Sequence, residues 1–367
     1  MFSFLVAGAQ IFLSKADKVC NFLIHPSVKI ADHEKIAEKI GEFLNQLLYD
    51  TPENQISHAL EVAWKDLQKT KPDLIIFSKI EAFVKATLEN EKIKIILMNS
   101  KGSLDTECTS GLNIIVGGNS LGRGVTFPAL HTVYYCRKSK TPQADTFWQH
   151  CRMFGYDRDR RLMRIYLPPS LFKLFCELNS SNQILINQVE NNHIDNIILL
   201  YSKGIRPTRP AVIENDALNI VVGGVNYFPN YPKRMHVEKI DHLLQDYDSS
   251  QEFFDIGIEQ MIKLLSLLES SGKSDWNKSA YVDCLKALNN DERLSEGVLI
   301  VRRNRDIGQG TGTLLSPDDR ELGSKFSGRP VLTLYRILGS KNKGWDDLPL
   351  WIPNIKFPLN TCFYKTN

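Results

Sequence analysis

Two hydrophobic rhythms alternate along the first two hundred residues of this chain. Short, nearly continuous apolar runs occur at NFLIH (residues 21–25), IKIILM (93–98), LNIIVGG (112–118), HTVYYCR (131–137) and LMRIYLP (162–168). Runs of that length, rich in β-branched and aromatic residues, predict buried strands. Between them the apolar positions take helical spacing. After Asp32, which is expected to cap a helix, Ile36, Ile40, Phe43, Leu44 and Leu47 form one stripe. Further helices are predicted over 56–67, 79–88 and 143–153, and Pro169 and Ser170 open another. The opening segment MFSFLVAGAQIFLSK reads as a helix with one buried face. Apolar strands separated by amphipathic helices predict a parallel sheet with helices on both faces.

The rhythm breaks at GIRPTRP (204–210), with two prolines and two arginines in seven residues. LNIVVGG (218–224) nearly repeats LNIIVGG but its flanks do not, so it predicts a second strand ending at a glycine turn rather than an internal repeat. Residues 236–288 are helical in pattern, including FFDIGIEQMIKLLSLLE. Strands such as GVLIVRR and PVLTLYRIL dominate after residue 296. The expected organisation is an α/β domain over 1–205, a linker or docking segment over 206–235, and a mixed α+β domain, helical then β-rich, over 236–367.

Composition narrows the classes. The 367 residues are 43% hydrophobic and 24% charged, ordinary values that exclude disordered and collagen-like chains. No run approaches the ~18 apolar residues of a membrane span, and seven cysteines without paired spacing suggest reduced thiols in a cytoplasmic protein. The net charge of +3 hides a local surplus: residues 137–164 hold eight basic residues against three acidic ones. Such a cluster points to a phosphate-bearing partner, and a solvated helix face would produce the same count. Two glycine-rich segments are decoys. SSGKSD (270–275) has Leu267 where a phosphate-binding loop needs its first glycine, and GQGTG (308–312) lacks the lysine. The eight histidines show no metal-ligand spacing, so no metal site is expected.

The informative residues lie between 117 and 168. In GGNSLGRGVTFPAL, glycines let backbone approach a ligand, Asn119 and Ser120 are short donors, and Arg123 stands between two glycines. In QADTFWQHCRMFGYDRDRRLMRIYLP, Gln149 and Arg152 share a helix face, and Arg158 and Arg160 follow Gly155 on a loop. Arginine forks beside a sheet edge suit the oxygens of a transferred γ-phosphate. Trp148 and Phe154 are expected to pack this helix on the sheet, and His25 and His150 to be hydrogen-bonded structural residues.

GNSLGRGVTFP resembles motif V of superfamily-two helicases, and QHCRMFGYDRDRR resembles a divergent motif VI. The wording IHPS…DH (24–33), GGNSLGRG, ADTFWQ and RMFGY is similar to the Z-one domain family, helicase-like ATPases found beside endonucleases in bacterial restriction systems. The resemblance covers residues 1–210. It implies a RecA-like second helicase lobe. Ser27 would take the motif IV place against a nucleic-acid phosphate, and Gly118, Asn119, Gly122, Arg123 and Gly124 the motif V place between nucleotide and strand. Gln149, Arg152 and Arg158 would take motif VI, one arginine serving as finger. Arg152 follows Gln149 by three residues rather than four, and Tyr156 stands where an arginine is usual. Arg152 is therefore the first candidate finger and Arg158 the second. Lys138 and Lys140 would track DNA phosphates.

No GxxxxGK[ST] pattern occurs in the sequence, and its one Asp-Glu pair, DERL (291–294), follows the helical stretch over 236–288 instead of an apolar strand, so no acidic Mg²⁺ motif is read. The expectation is the C-terminal half of a larger motor, inactive alone, with ATP and Mg²⁺ bound in the complete protein between this lobe and a missing first RecA-like lobe. The expected partners are DNA and a nuclease subunit, with a homodimer also allowed and no membrane. The apolar segment over 253–269 could supply an assembly surface, although burial in the domain's own core is the expected use of that face. The rival expectation is a non-catalytic DNA-binding and assembly module for a nuclease.

Overall fold

The protein is described by a computed structural model covering residues 1–98, 108–118, 127–155, 158–191, 197–208, 218–271 and 276–366, apart from the side chains of Arg152, Phe154, Leu218 and Thr366. It forms two compact units, 1–175 and 176–367.

The first unit contains β1 (Val19–His25), β2 (Ile93–Met98), β3 (Gly111–Gly117), β4 (Leu130–Tyr135) and β5 (Arg164–Tyr166). They form one sheet in the order β2-β3-β1-β4-β5, every pair parallel. Helices α1 (Phe2–Leu13), α2 (Ile30–Asn45), α3 (Glu53–Gln68) and α4 (Phe77–Glu89) connect the outer parts of the chain. Strand residues point alternately to opposite faces. Cys20, Phe22 and Ile24 of β1 and Leu112, Ile114 and Val116 of β3 therefore share one core with Phe4, Ile40, Leu60 and Ile80 of these helices. The other face carries α5 (Ala144–His150) and the start of α6 (Pro169–Glu190), where Phe175 packs edge-on against Tyr135 and Phe147 at 6.0 and 5.4 Å.

Two local expectations are corrected here. Helix α1 is buried on every side from Phe4 to Ile11, because it contacts β1 on one flank and α3 and α4 on the other. Even Gln10 is enclosed, its Oε1 accepting from the Ile75 amide at 2.8 Å. Asp32 does not cap α2; Lys29 holds that position, and Asp32 lies in the first turn.

The second unit begins at residue 176, within α6. Strand β6 (Ile198–Ser202) pairs antiparallel with β15 (Thr361–Thr366), which also pairs with β7 (Leu218–Val222). The expected linker over 206–235 contains β7, β8 (Asn226–Tyr227) and β9 (Pro232–Lys233), all engaged in sheets. A mixed five-stranded sheet runs β10-β12-β13-β14-β8, with β10 (Phe254–Gly257), β12 (Glu296–Arg305), β13 (Val331–Ile337) and β14 (Leu350–Lys356). The remaining strand, β11 (Glu269–Ser270), pairs with β9.

One core joins both larger sheets to α7 (Val237–Leu243), α8 (Ile258–Ser266) and α9 (Lys278–Asn289). Helix α10 (Pro317–Lys325) follows β12. FFDIGIEQMIKLLSLLE is thus a strand and a helix, not one long helix. The apolar face of α8, with Ile258, Met261, Leu264 and Leu265, is spent on the unit's own core. No helix among the described residues is long and apolar enough to cross a membrane.

Candidate nucleic-acid and nucleotide interface

All five strands of the first sheet point the same way, so the segments leaving them gather at one edge and the segments entering them gather at the other. The carboxyl edge is where open α/β sheets bind ligands. Ser27 follows β1, Gly118 follows β3, and Lys138 and Lys140 follow β4. These are neighbouring strands, so the tertiary fold brings these predicted residues to one edge. Asn119, Gly122, Arg123 and Gly124 lie outside the described residues.

Ser27 is held from two sides. Its hydroxyl donates to Asp32 Oδ2 at 2.5 Å and accepts from the Lys29 amide at 3.0 Å. His33 Nε2 lies 2.9 Å from the Ser27 carbonyl oxygen. Gly118 comes against the same histidine: a Cβ there would meet His33 Cε1 at 2.5 Å and Nε2 at 3.0 Å. A side chain at position 118 would therefore need the His33 ring to shift.

Beneath this edge lies a buried aromatic and imidazole cluster. Tyr135 Oη sits 2.6 Å from His150 Nδ1, and Arg137 Nη1 sits 2.9 Å from His150 Nε2. A guanidinium can only donate, so Arg137 donates to the His150 ring, with Nε2 the nearer nitrogen and Nδ1 at 3.4 Å. His25 packs 5.1 Å from Tyr135 and 5.6 Å from His150. Contrary to expectation, neither His25 ring nitrogen makes a well-formed hydrogen bond. Burial, with His150, Arg137 and His33 nearby, pushes its pKa down to about 3 and keeps it neutral. The cluster anchors the exit of β4, from which Lys138 and Lys140 emerge exposed.

The chain between β4 and β5 leads from that edge to the opposite one. Gln149 is half-buried on α5, and the Arg152 backbone lies in a 3-10 turn over Cys151–Phe154, its side chain outside the described residues. Trp148 is exposed; Phe147 and His150 do the packing instead. Arg158 precedes β5, so it stands at the amino edge, about 20 Å along the strands from Ser27. Its Nη1 donates to the Leu130 carbonyl at 2.6 Å. It lines a cavity of ≈ 700 Å³ together with Asp17, Lys71, Asp73, His131 and Asp159.

Among the described side chains, ion pairs engage Arg161 and Arg164 of the basic cluster read from the sequence. Arg161 chelates Asp159, and Lys71 bridges Asp73 at 3.3 Å and Asp159 at 3.2 Å. Arg164 binds Asp66 through Nε and the Asp66 carbonyl through Nη2, both at 2.8 Å. Hydrogen bonds from the Arg161 guanidinium and amide, then from Lys71, hold the Asp159 carboxyl well below the usual range. Lys71, Asp159 and the Tyr135–His150–Arg137 chain were not singled out by sequence as site residues, because their partners lie up to ninety residues away. Only the DH of the IHPS…DH wording hinted at Asp32 and His33.

Among the described residues, no group of three or more His, Cys, Asp or Glu side chains is placed to hold a metal ion.

Comparison with known proteins resolves the chain into two matches. The Z1 domain model matches residues 1–205. The model described as restriction endonuclease CglI H-subunit, C-terminal domain, matches 221–359. A solved structure titled C-terminal domain of CglI restriction endonuclease H subunit is 33% identical, covering 38% of this chain and 99% of that one, with a TM-score of 0.34. No curated protein matches the sequence. With a Z1 domain spanning more than half its length, and after it the domain that ends CglI H subunits, the chain belongs to the Z1 domain family, in the form found in CglI-type restriction endonucleases.

Proposed function

We propose that the first unit is the second lobe of an ATP-dependent, DNA-translocating or DNA-remodelling subunit that works with a nuclease, and that the second unit supplies assembly contacts. The observation that carries this reading is the convergence of Ser27, Gly118, Lys138 and Lys140 at the carboxyl edge of an all-parallel sheet. Exposed lysines beside backbone turns suit a DNA phosphate backbone, which is gripped mainly by charge. Because Asp32 occupies the Ser27 hydroxyl, a phosphate arriving there meets the loop's backbone amides or displaces the carboxylate.

ATP would be held by a first RecA-like lobe whose phosphate loop this sequence lacks, and would supply the energy of closure. This chain's contribution is cationic: Arg152 or Arg158 approaches the transferred phosphoryl group. Such fingers are worth ~10³–10⁵ in rate. Gln149 and the segment to Arg158 run between the two edges, linking closure over nucleotide to grip on DNA. In a protein with both lobes present, Arg152→Ala is expected to abolish DNA-stimulated ATP hydrolysis with the fold retained. Undiminished turnover refutes the Arg152 assignment, and the same assay on Arg158→Ala decides between the two arginines.

One observation favours the second reading, a DNA-binding assembly module without motor use. Arg158 donates to a backbone carbonyl, as a structural arginine does. Turnover that survives loss of both arginines would select that reading.

A further inference from the structure

We infer that Arg137 takes a phosphate of the DNA backbone at the carboxyl edge, and that His150 is the residue that positions its guanidinium. The inference rests on the DNA-binding part of the function proposed above, and adds to it an arginine outside both helicase-like motifs.

Tyr135 and Arg137 stand two residues apart at the exit of β4, and both reach the ring of His150, the last residue of α5. That ring is 8% exposed. Because a guanidinium only donates, the ring accepts from Arg137 and is therefore not an imidazolium. Tyr135 Oη, 2.6 Å from Nδ1, and the edge-on packing of the two rings fix the imidazole in place. Arg137 is thus held, half-buried, against a neutral and well-anchored partner.

The choice of partner sets Arg137 apart. Arg161, Arg164, Arg302 and Arg336 each pair with an aspartate. Among the described residues no carboxylate pairs with Arg137, and no hydrogen bond uses its Nε or Nη2. Its positive charge is therefore left for an incoming anion, which has no carboxylate to displace. A planar fork of N–H groups suits two oxygens of one phosphate. Holding the side chain beforehand reduces the ordering cost of binding.

Position agrees with that use. The Cys136 amide donates to the His25 carbonyl at 2.9 Å, so β4 and β1 are still joined where they leave the sheet. Arg137 follows that link by one residue and Ser27 by two, while Lys138 and Lys140 are exposed just beyond. One oriented guanidinium accompanied by exposed ammonium groups fits a chain of phosphodiesters.

The test uses the full chain, with affinity for a labelled DNA duplex measured across salt concentrations and the unfolding temperature of each variant. Arg137→Gln is expected to weaken binding at least about tenfold. It should also reduce the slope of log K against log[salt] by about one. Arg137→Lys keeps the charge and so keeps the slope. His150→Leu removes the acceptor but not the charge, so affinity falls about fivefold at an unchanged slope. His150→Gln, which retains an acceptor, recovers most of that loss. Should His150→Leu fail to fold, His150→Asn, too short to reach Arg137, takes its place. An unaltered slope in Arg137→Gln overturns the phosphate contact, and equal affinities with and without an acceptor at 150 overturn the positioning role. If ATP raises the unfolding temperature of the unaltered chain but not of Arg137→Gln, while both share one DNA slope, the oxyanion belongs to a nucleotide and the DNA assignment is overturned. Absence of DNA binding by the unaltered chain removes the proposed function instead. Stabilisation by inorganic pyrophosphate that Arg137→Gln abolishes would then still support the anion site, and no such stabilisation would remove it too.

Discussion

Single side chains in the first unit divide into anchors and exposed charge, although both come from the same basic stretch. Arg164, 17% exposed, joins β5 to α3 through the Asp66 carboxylate and carbonyl. Arg164→Ala is expected to cost about 1–3 kcal/mol in chemical denaturation, the range for hydrogen bonds to charged groups. Acid should expose the same network. Asp159 and Asp66 have carboxyl pKa values held below the unfolded value of 3.8 by Arg161 and Arg164 respectively. A depressed folded pKa means stability that is present above pH ~4 and lost as pH falls below it. Asp159→Asn should therefore be less stable than the unaltered chain at pH 7 but lose less between pH 5 and pH 3, as followed by urea midpoints. An equal loss in both proteins would show that Asp159 does not carry the linkage.

Individual elements show how like sequences arise from unlike causes. LNIIVGG and LNIVVGG both form strands, and each ends in a glycine with a neighbour where a side chain would sit. At Gly118 the neighbour is an imidazole ring. At Gly223 it is the Pro358 carbonyl, on which a Cβ would fall directly, and the Gly223 amide donates to the Thr361 carbonyl at 2.9 Å. Gly223→Ala must displace backbone rather than a side chain, and is expected to destabilise the second unit by about 1–3 kcal/mol or more. Differential scanning calorimetry checks this; an unchanged transition would mean that the β7 turn yields freely. Five strand segments of the first sheet were legible from apolar runs alone, with boundaries off by a residue or two. The failures were at FFDIGIEQMIKLLSLLE and α1. There, continuous apolarity cannot distinguish a strand-to-helix change, or burial on all sides, from one amphipathic helix.

At the scale of the whole molecule, the proposed function depends on what each sheet edge collects. If the carboxyl edge grips DNA through Lys138 and Lys140, each alanine substitution should weaken binding about equally across DNA sequences. Each should also reduce the salt dependence, log K against log[salt], by about one unit of slope. A changed sequence preference with an unchanged slope would argue for base reading instead.

By itself, the order of residues determined the alternation of strands and helices, the parallel α/β class of the first half, and the motifs at positions 117–164. Those features depend on local periodicity and turn chemistry, which short stretches encode. Only the tertiary structure decided which residues became neighbours. Parallel pairing sent Ser27, Gly118, Lys138 and Lys140 to one edge and Arg158 to the other. Antiparallel pairing with β15 drew β6 into the second unit, and contacts between distant segments tied Arg161 and Arg164 of the basic cluster to Asp66, Asp73 and Asp159. Burial and pairing depend on contacts between distant segments, and spacing along a chain does not encode those contacts.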